Sequence, residues 1–364
     1  MTSIALPWAF RDLKLGVVGS GAGCYQALMA LQALGVPVAM VGTHESTLQG
    51  PRSDELRGFQ RLGLYQELGE AARRIGAAFL QAPDLNAPAC VRAMKARGVN
   101  LVLSVSAQVL QEDFVQAFAG LVFNIHGSAL YRGRAGLTWA ILNKLQADRL
   151  VLHWVAPAID AGAVATTVPY EWPARCYPVD IMRAQFQAYP LLLAGFLSLV
   201  RAGRIPCLDP QNGAKLYFPL IRGERDGRID WDWTPDAVDA FVRGFGWPYL
   251  GAFGDFRSSR QLMMRVHVAR CERLDDKAQT FHPSCNGVPV RYGPSDSVEV
   301  ITGGTLLRLL TIRTGWEEVP ARTVVRLGGR FVRPAATTES AGPLADHAAP
   351  ATVAATGMAM TSHG

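Results

Sequence analysis

Several large protein classes are excluded by what this chain lacks. Its 364 residues include only six cysteines, with no C-x-x-C pair and none at zinc-ligand spacing with a histidine. That argues against a disulfide scaffold, a zinc finger and a dithiol redox motif; buried free thiols in a reducing compartment are expected. Long apolar runs are missing as well. The longest, Tyr189 to Val200, is too short to span a bilayer, and Met1 to Asp12 has no apolar signal-peptide core. These absences predict a soluble, cytoplasmic protein. No internal repeat is visible. Charged residues make up only 18% and hydrophobic residues 49%, a balance that permits a substantial core and excludes wholesale disorder.

A complete dinucleotide fingerprint is also absent. Gly19-Ser-Gly21-Ala-Gly23 reads G-x-G-x-G, not G-x-G-x-x-G, and Glu45 lies beyond the second strand, poorly placed for a ribose. Two readings stay open: a tight strand-to-helix turn, or a helix start whose N–H groups, from Ser20 and Gly21 onward, meet an anionic part of a substrate. The net charge of +6 suits an acidic partner such as a nucleotide-linked metabolite, a polyglutamylated cofactor or RNA; an unspecialised basic surface fits equally well.

What is present is an alternation of strands and helices. Leu13 to Gly19 and Val36 to Val41 read as buried strands around a helix from Cys24 to Leu34, a β-α-β opening that favours a parallel sheet. Helices are predicted at Ala87–Arg97, Gln111–Ala119, Leu137–Leu145 and Pro178–Arg201, with strands at Asn100–Val105, Leu121–Ile125 and Leu150–Val155. The character changes near Arg204. Ile205 to Gly213 looks like a linker, Pro235 to Gly244 a helix, and from Leu262 onward short alternating segments suggest a small β domain. These include Met264–Val268, Ser297–Thr302 and Leu306–Ile312. The expected division is residues 1–204, a linker with connecting helix over 205–260, a β-rich domain over 261–334, and a disordered tail over 335–364 rich in Ala, Thr, Gly and Pro.

The chemistry concentrates at Phe123-Asn124-Ile-His126-Gly-Ser128, the C-terminal end of a predicted parallel strand. Asn124 and His126, two apart, share one face of that strand. Ligands of open α/β sheets sit beyond such strand ends. An amide donor beside an imidazole there suits oxyanion stabilisation and proton transfer. The next strand leads to Asp160, whose carboxylate is expected to reach His126. A structural role for a strand-end histidine fits spacing alone equally well.

Asn124-Ile-His126-Gly-Ser128, Tyr131-Arg-Gly-Arg-Ala135, Trp139-Ala-Ile-Leu142 and Ile159-Asp160-Ala-Gly162 resemble the signature of 10-formyltetrahydrofolate-dependent formyltransferases. Asp226-Gly-Arg-Ile-Asp230-Trp231 and Trp247-Pro-Tyr-Leu-Gly-Ala-Phe253 resemble the linker and C-terminal motifs of the methionyl-tRNA and aminosugar members. The resemblance covers roughly residues 13 to 332. It departs at Ser128-Ala-Leu-Tyr-Arg-Gly133, two residues shorter than the family's usual stretch and lacking its proline and lysine, and at Gly136, where proline is common.

The resemblance implies an α/β fold: a Rossmann-like, mostly parallel N-terminal domain and a smaller β-rich, OB-like C-terminal domain. It implies formyl transfer from 10-formyltetrahydrofolate to a primary amine, with Asn124, His126 and Asp160 catalytic and no metal. A pterin slot is implied at Ser106, Gln108, Val109 and Leu110 with the loop of Asp160. Arg132 and Arg134 are candidates for substrate phosphate or the folate glutamate; two solvated arginines are the competing reading. The acceptor branch resembled most is the nucleotide-linked amino sugars, an anionic substrate. Methionyl-tRNA, the one case that involves nucleic acid, and another small amine are alternatives. From other classes, a 10-formyltetrahydrofolate hydrolase and an inactive folate-binding homologue remain. A homodimer through the C-terminal β domain is compatible with the sequence, which does not fix the oligomeric state.

Overall fold

The computed structural model describes residues 2–44, 53–133, 136–209, 216–219, 221, 223–274, 279–315 and 317–332. The expected tail over 335–364 lies outside these, as do Glu45 and Arg134.

The N-terminal body is a seven-stranded sheet with helices on both faces. Its elements are β1 (Leu15–Gly19), α1 (Gly21–Ala33), β2 (Val38–Thr43), β3 (Ala78–Gln81), β4 (Leu101–Val105), β5 (Val122–His126), β6 (Ala147–Trp154), β7 (Val164–Glu171) and α2 (Pro178–Arg201). The strand order is β3-β2-β1-β4-β5-β6-β7. Strands β1 to β5 pair in parallel. β1 and β4 are buried at every position, as continuous apolar runs covered on both faces require. One core packs α1 and α2 against the sheet; the other packs Met94, Phe114 and Phe118 against its far side.

Three features depart from the sequence reading. β6, expected to continue the parallel pattern, runs antiparallel to β5, and β7, which had no clear sequence signal, runs antiparallel to β6. The start of the expected linker, Arg204–Cys207, is a strand paired antiparallel with Thr2–Ala5. Further along, Leu216–Phe218 pairs in parallel with Tyr131–Gly133, bringing the end of the connecting segment back to the first body.

The C-terminal body contains α3 (Pro235–Gly244), β8 (Ala252–Arg257), β9 (Met263–Arg273), β10 (Pro289–Tyr292), β11 (Val298–Thr302), β12 (Thr305–Thr314), β13 (Glu317–Pro320) and β14 (Arg330–Phe331). Its antiparallel sheet runs β10-β11-β12-β9-β8-β14, with β13 on β12. The two ends of that path meet at Gly287: the Phe331 N–H donates to its carbonyl, and its own N–H donates to Ile301. A Cβ on Gly287 would lie 2.6 Å from the Phe331 carbonyl oxygen, and its φ is +83°, so only glycine lets the sheet draw nearly closed. The core of this body begins at Ile229 and Trp231 and includes α3 and Phe256 of β8, all within the segment read from sequence as a connection.

Arg175, just before α2, joins the two bodies. Its guanidinium donates to buried Asp239 of α3 and to the Cys271 carbonyl of β9. No described helix is long and apolar enough to cross a membrane.

Candidate active site

A polar row crosses the centre of the first sheet. Register pairs Ser104 of β4 with Asn124 of β5, and Asn124 with His153 of β6. Paired residues point to the same face, so an apolar sheet carries three adjacent hydrogen-bonding side chains there. All three line a cavity of about 760 Å³, within the range of small-molecule sites.

His126 ends β5 and lines the same cavity. Its Nε2 is 2.6 Å from the Tyr131 carbonyl oxygen and its Nδ1 is 3.5 Å from Asp160 Oδ2. Both ring nitrogens face acceptors, so only the doubly protonated ring can donate on both sides. His153 differs. Its Nδ1 lies 2.9 Å from the Trp154 carbonyl oxygen, which puts a proton on that nitrogen. Nε2 lies 3.2 Å from the Asn124 amide nitrogen and accepts from it in the tautomer protonated at Nδ1. Asn124 keeps a second N–H for a ligand.

Asp160 sits where the loop after β6 folds back over this face. Its Oδ2 accepts from the Gly133 N–H at 3.0 Å, and its Oδ1 is 3.7 Å from His153 Nε2. Burial pushes this carboxyl upward; the His153 ring, the charge of His126 and the Gly133 N–H outweigh burial and hold it at about 2. The φ of Asp160 is +50°, and that of Ser106, which lines the same cavity, is +53°. Both are left-handed conformations that non-glycine residues seldom adopt. Gly162 explains the glycine two residues after Asp160: a Cβ there would fall 1.7 Å from the Trp154 carbonyl oxygen.

The remaining candidates divide. Ser106, Gln108, Val109 and Leu110 all line the cavity with Asn124, His126 and Asp160. The Gln108 amide is engaged elsewhere: it donates to Asp84 and accepts from the Leu85 N–H, which ties the wall to the neighbouring loop. Ser20 and Gly21, proposed from sequence as substrate contacts, are not among the lining residues. The Ser20 hydroxyl is buried and donates to the Ser106 carbonyl, fixing the start of α1 to the cavity loop. Arg132 does not line the cavity either; its Nε donates to the Ile159 carbonyl and so braces the loop of Asp160.

Sequence reading passed over His153, Gln185, Tyr189 and Tyr217, which all line the cavity. His153 was detectable only through the antiparallel register. Tyr217 arrives through the Leu216–Phe218 pairing. Asp148 was also missed: it accepts from the Ser128 hydroxyl and the Ala129 N–H, while that hydroxyl accepts from the Leu130 and Tyr131 N–H groups. The shortened loop after His126 is thereby held rigid, and with it the Tyr131 carbonyl.

Comparison with known proteins bears on this geometry. Residues 223–326 match the family model "Formyl transferase, C-terminal domain". Among solved structures, HypX from Aquifex aeolicus in complex with tetrahydrofolic acid aligns with a TM-score of 0.58 at 13% identity, covering 86% of this chain and 47% of that one. The N-formyltransferase from Helicobacter canadensis, in complex with folinic acid and dTDP-3-aminofucose, aligns at 0.55 and 14%, covering 82% and 98%. WlaRD, a sugar 3N-formyl transferase, aligns at 0.54 and 14%, covering 82% and 97%. This chain thus spans about half the length of the HypX structures it matches. At these identities the likeness to solved structures is one of fold. The C-terminal body thus matches a formyl transferase C-terminal domain over residues 223–326, and the two bodies together share the fold of the solved N-formyltransferases.

Proposed function

We propose that the chain transfers a formyl group from 10-formyltetrahydrofolate to a primary amine. One observation carries this reading: Asn124, His126 and Asp160 converge on one cavity that the Ser106–Leu110 segment also lines. That segment and the loop of Asp160 together line the cavity, and its volume suits a folate head group. When bound, the folate supplies an activated formyl carbon.

The chain's own residues then have distinct tasks. The free N–H of the Asn124 amide stabilises negative charge on the formyl oxygen. His126, set between the Tyr131 carbonyl and Asp160, supplies and takes up protons between the attacking and leaving nitrogens. Asp160 orients that ring and favours its charged form. His153 holds the Asn124 amide in place without reaching the reacting atoms.

For the acceptor we infer a nucleotide-linked amino sugar. The fold is shared with enzymes crystallised with dTDP-3-aminofucose or dTDP, and those two are covered almost end to end. No arginine or lysine lines the cavity among the described residues. The diphosphate would therefore be met outside the cavity lining, for which we infer Arg132, whose two terminal nitrogens have no partner among the described residues.

The test is steady-state release of tetrahydrofolate from 10-formyltetrahydrofolate with a panel of dTDP-linked amino sugars, other small amines and charged initiator tRNA. Release that depends on an amine, with a formamide product by mass spectrometry, is expected. Formate release without any amine would replace transfer by hydrolysis.

A further inference from the structure

Helix α2 presents two polar residues to the cavity that the formyl-transfer reading leaves unused. Gln185 and Tyr189 are one helical turn apart, so they share a face, and both line the cavity. Both are more than nine-tenths buried, at 9% and 6% exposure. The Gln185 Nε2 is committed, donating to the Gly127 carbonyl and the Tyr170 hydroxyl. Its Oε1 has no hydrogen-bond partner among the described residues. It lies 3.4 Å from where a Cβ on Gly127 would be, so it sits beside the residue that follows His126. The Tyr189 hydroxyl has none either, and lies 3.6 Å from where a Cβ on Gly23 of α1 would be. Burial holds that phenol well above its ordinary value, so it stays neutral. Neither atom is among the sealed, unpartnered polar atoms, so both stay open to the cavity and to a ligand that enters it.

We propose that Gln185 Oε1 and the Tyr189 hydroxyl receive the two N–H bonds of the acceptor's primary amine. The assignment rests on the formyl-transfer reading and adds the acceptor's position and charge state. Asp160, the one carboxylate among the described lining residues, is taken up by Gly133, His126 and His153. An ammonium group would find no anion of its own there. Two neutral acceptors instead bind R–NH2 through both hydrogens and leave its lone pair free toward the formyl carbon. As the new N–C bond forms, the bond from that carbon to N10 breaks. The proton lost by the amine balances the proton gained at N10, and the His126 imidazole relays it. The class of acceptor selected is a primary amine that arrives uncharged, because a secondary amine cannot donate to both groups.

The experiment compares wild type, Tyr189→Phe and Gln185→Glu in the full-length chain, with dTDP-3-aminofucose, methylamine and dimethylamine as acceptors. Tyr189→Phe keeps the ring packed on Phe186 and removes only the hydroxyl. Its KM for the amine should rise about tenfold while tetrahydrofolate affinity, read by fluorescence titration, stays within about twofold. Gln185→Glu should hold the amine as ammonium and move the alkaline rise of kcat/KM up by about one pH unit. Dimethylamine should be a poor acceptor for wild type. Amine-dependent wild-type turnover with an unchanged KM in Tyr189→Phe overturns the assignment and leaves formyl transfer standing. Weakened tetrahydrofolate binding in Tyr189→Phe overturns it as well, since the hydroxyl would then serve the folate. Absence of amine-dependent release from wild type overturns formyl transfer and this assignment together.

Discussion

The Asn124 amide nitrogen lies 3.2 Å from Nε2 of His153, its register partner one strand away. The antiparallel turn of β6 creates this pair. It fixes which amide hydrogen is left for a ligand, and it sets His153 3.7 Å from Asp160. A residue outside the Asn-x-His motif therefore orients two members of the candidate site.

Replacing His153 by Leu frees the Asn124 amide and removes one of the contacts that hold the Asp160 carboxyl down. Turnover should fall roughly 100-fold, the cost of misplacing a reacting group by an ångström. The Asp160 carboxyl should titrate higher, so the acid limb of the pH–rate profile moves up. A profile superimposable on wild type would remove His153 from the site.

Asn124→Ala removes an oxyanion donor outright. A loss of roughly 100-fold or more in kcat is expected, with KM little changed. Comparable kcat in purified, folded Asn124→Ala protein would exclude Asn124 as the donor.

Asp160 also links pH to stability. Its folded carboxyl titrates near 2 against an ordinary 3.8. A depressed carboxylate contributes stability that is complete above the unfolded value and lost as pH falls through the folded one. The window is therefore pH 4 down to 2, and the contribution is about 2 kcal/mol. Asp160→Asn should be less stable than wild type by about that amount in urea at pH 7, and the gap should narrow between pH 4 and pH 2.5. A gap that stays constant with pH would show that ionisation of Asp160 does not contribute.

Gly162→Ala tests the loop that bears Asp160. A Cβ 1.7 Å from the Trp154 carbonyl oxygen cannot be accommodated without moving backbone. Turnover should collapse, with a stability loss of about 1–3 kcal/mol. Full activity in Gly162→Ala would show that the loop tolerates the shift and that Asp160 is less tightly placed than its contacts suggest.

Sequence alone determined the elements whose signals are local. Helices α2 and α3 begin at Pro178 and Pro235 and end at Arg201 and Gly244, the same limits that periodicity and proline placement give, because a proline at the first turn and an apolar stripe need no distant partner. The shared face of Asn124 and His126 was legible for the same reason, as strand alternation is a property of two neighbouring residues. The family motifs supplied Asp160. Tertiary structure alone decided strand direction and register, and with them the rest of the site. His153 reads as one more residue of a buried strand until β6 turns antiparallel and lays it beside Asn124. Gln185 and Tyr189 read as parts of an apolar helix until α2 packs their face onto the cavity. Ser20 reads as the start of a helix until its hydroxyl meets the Ser106 carbonyl. In each case the deciding interaction joins residues far apart in the chain, which no local pattern records.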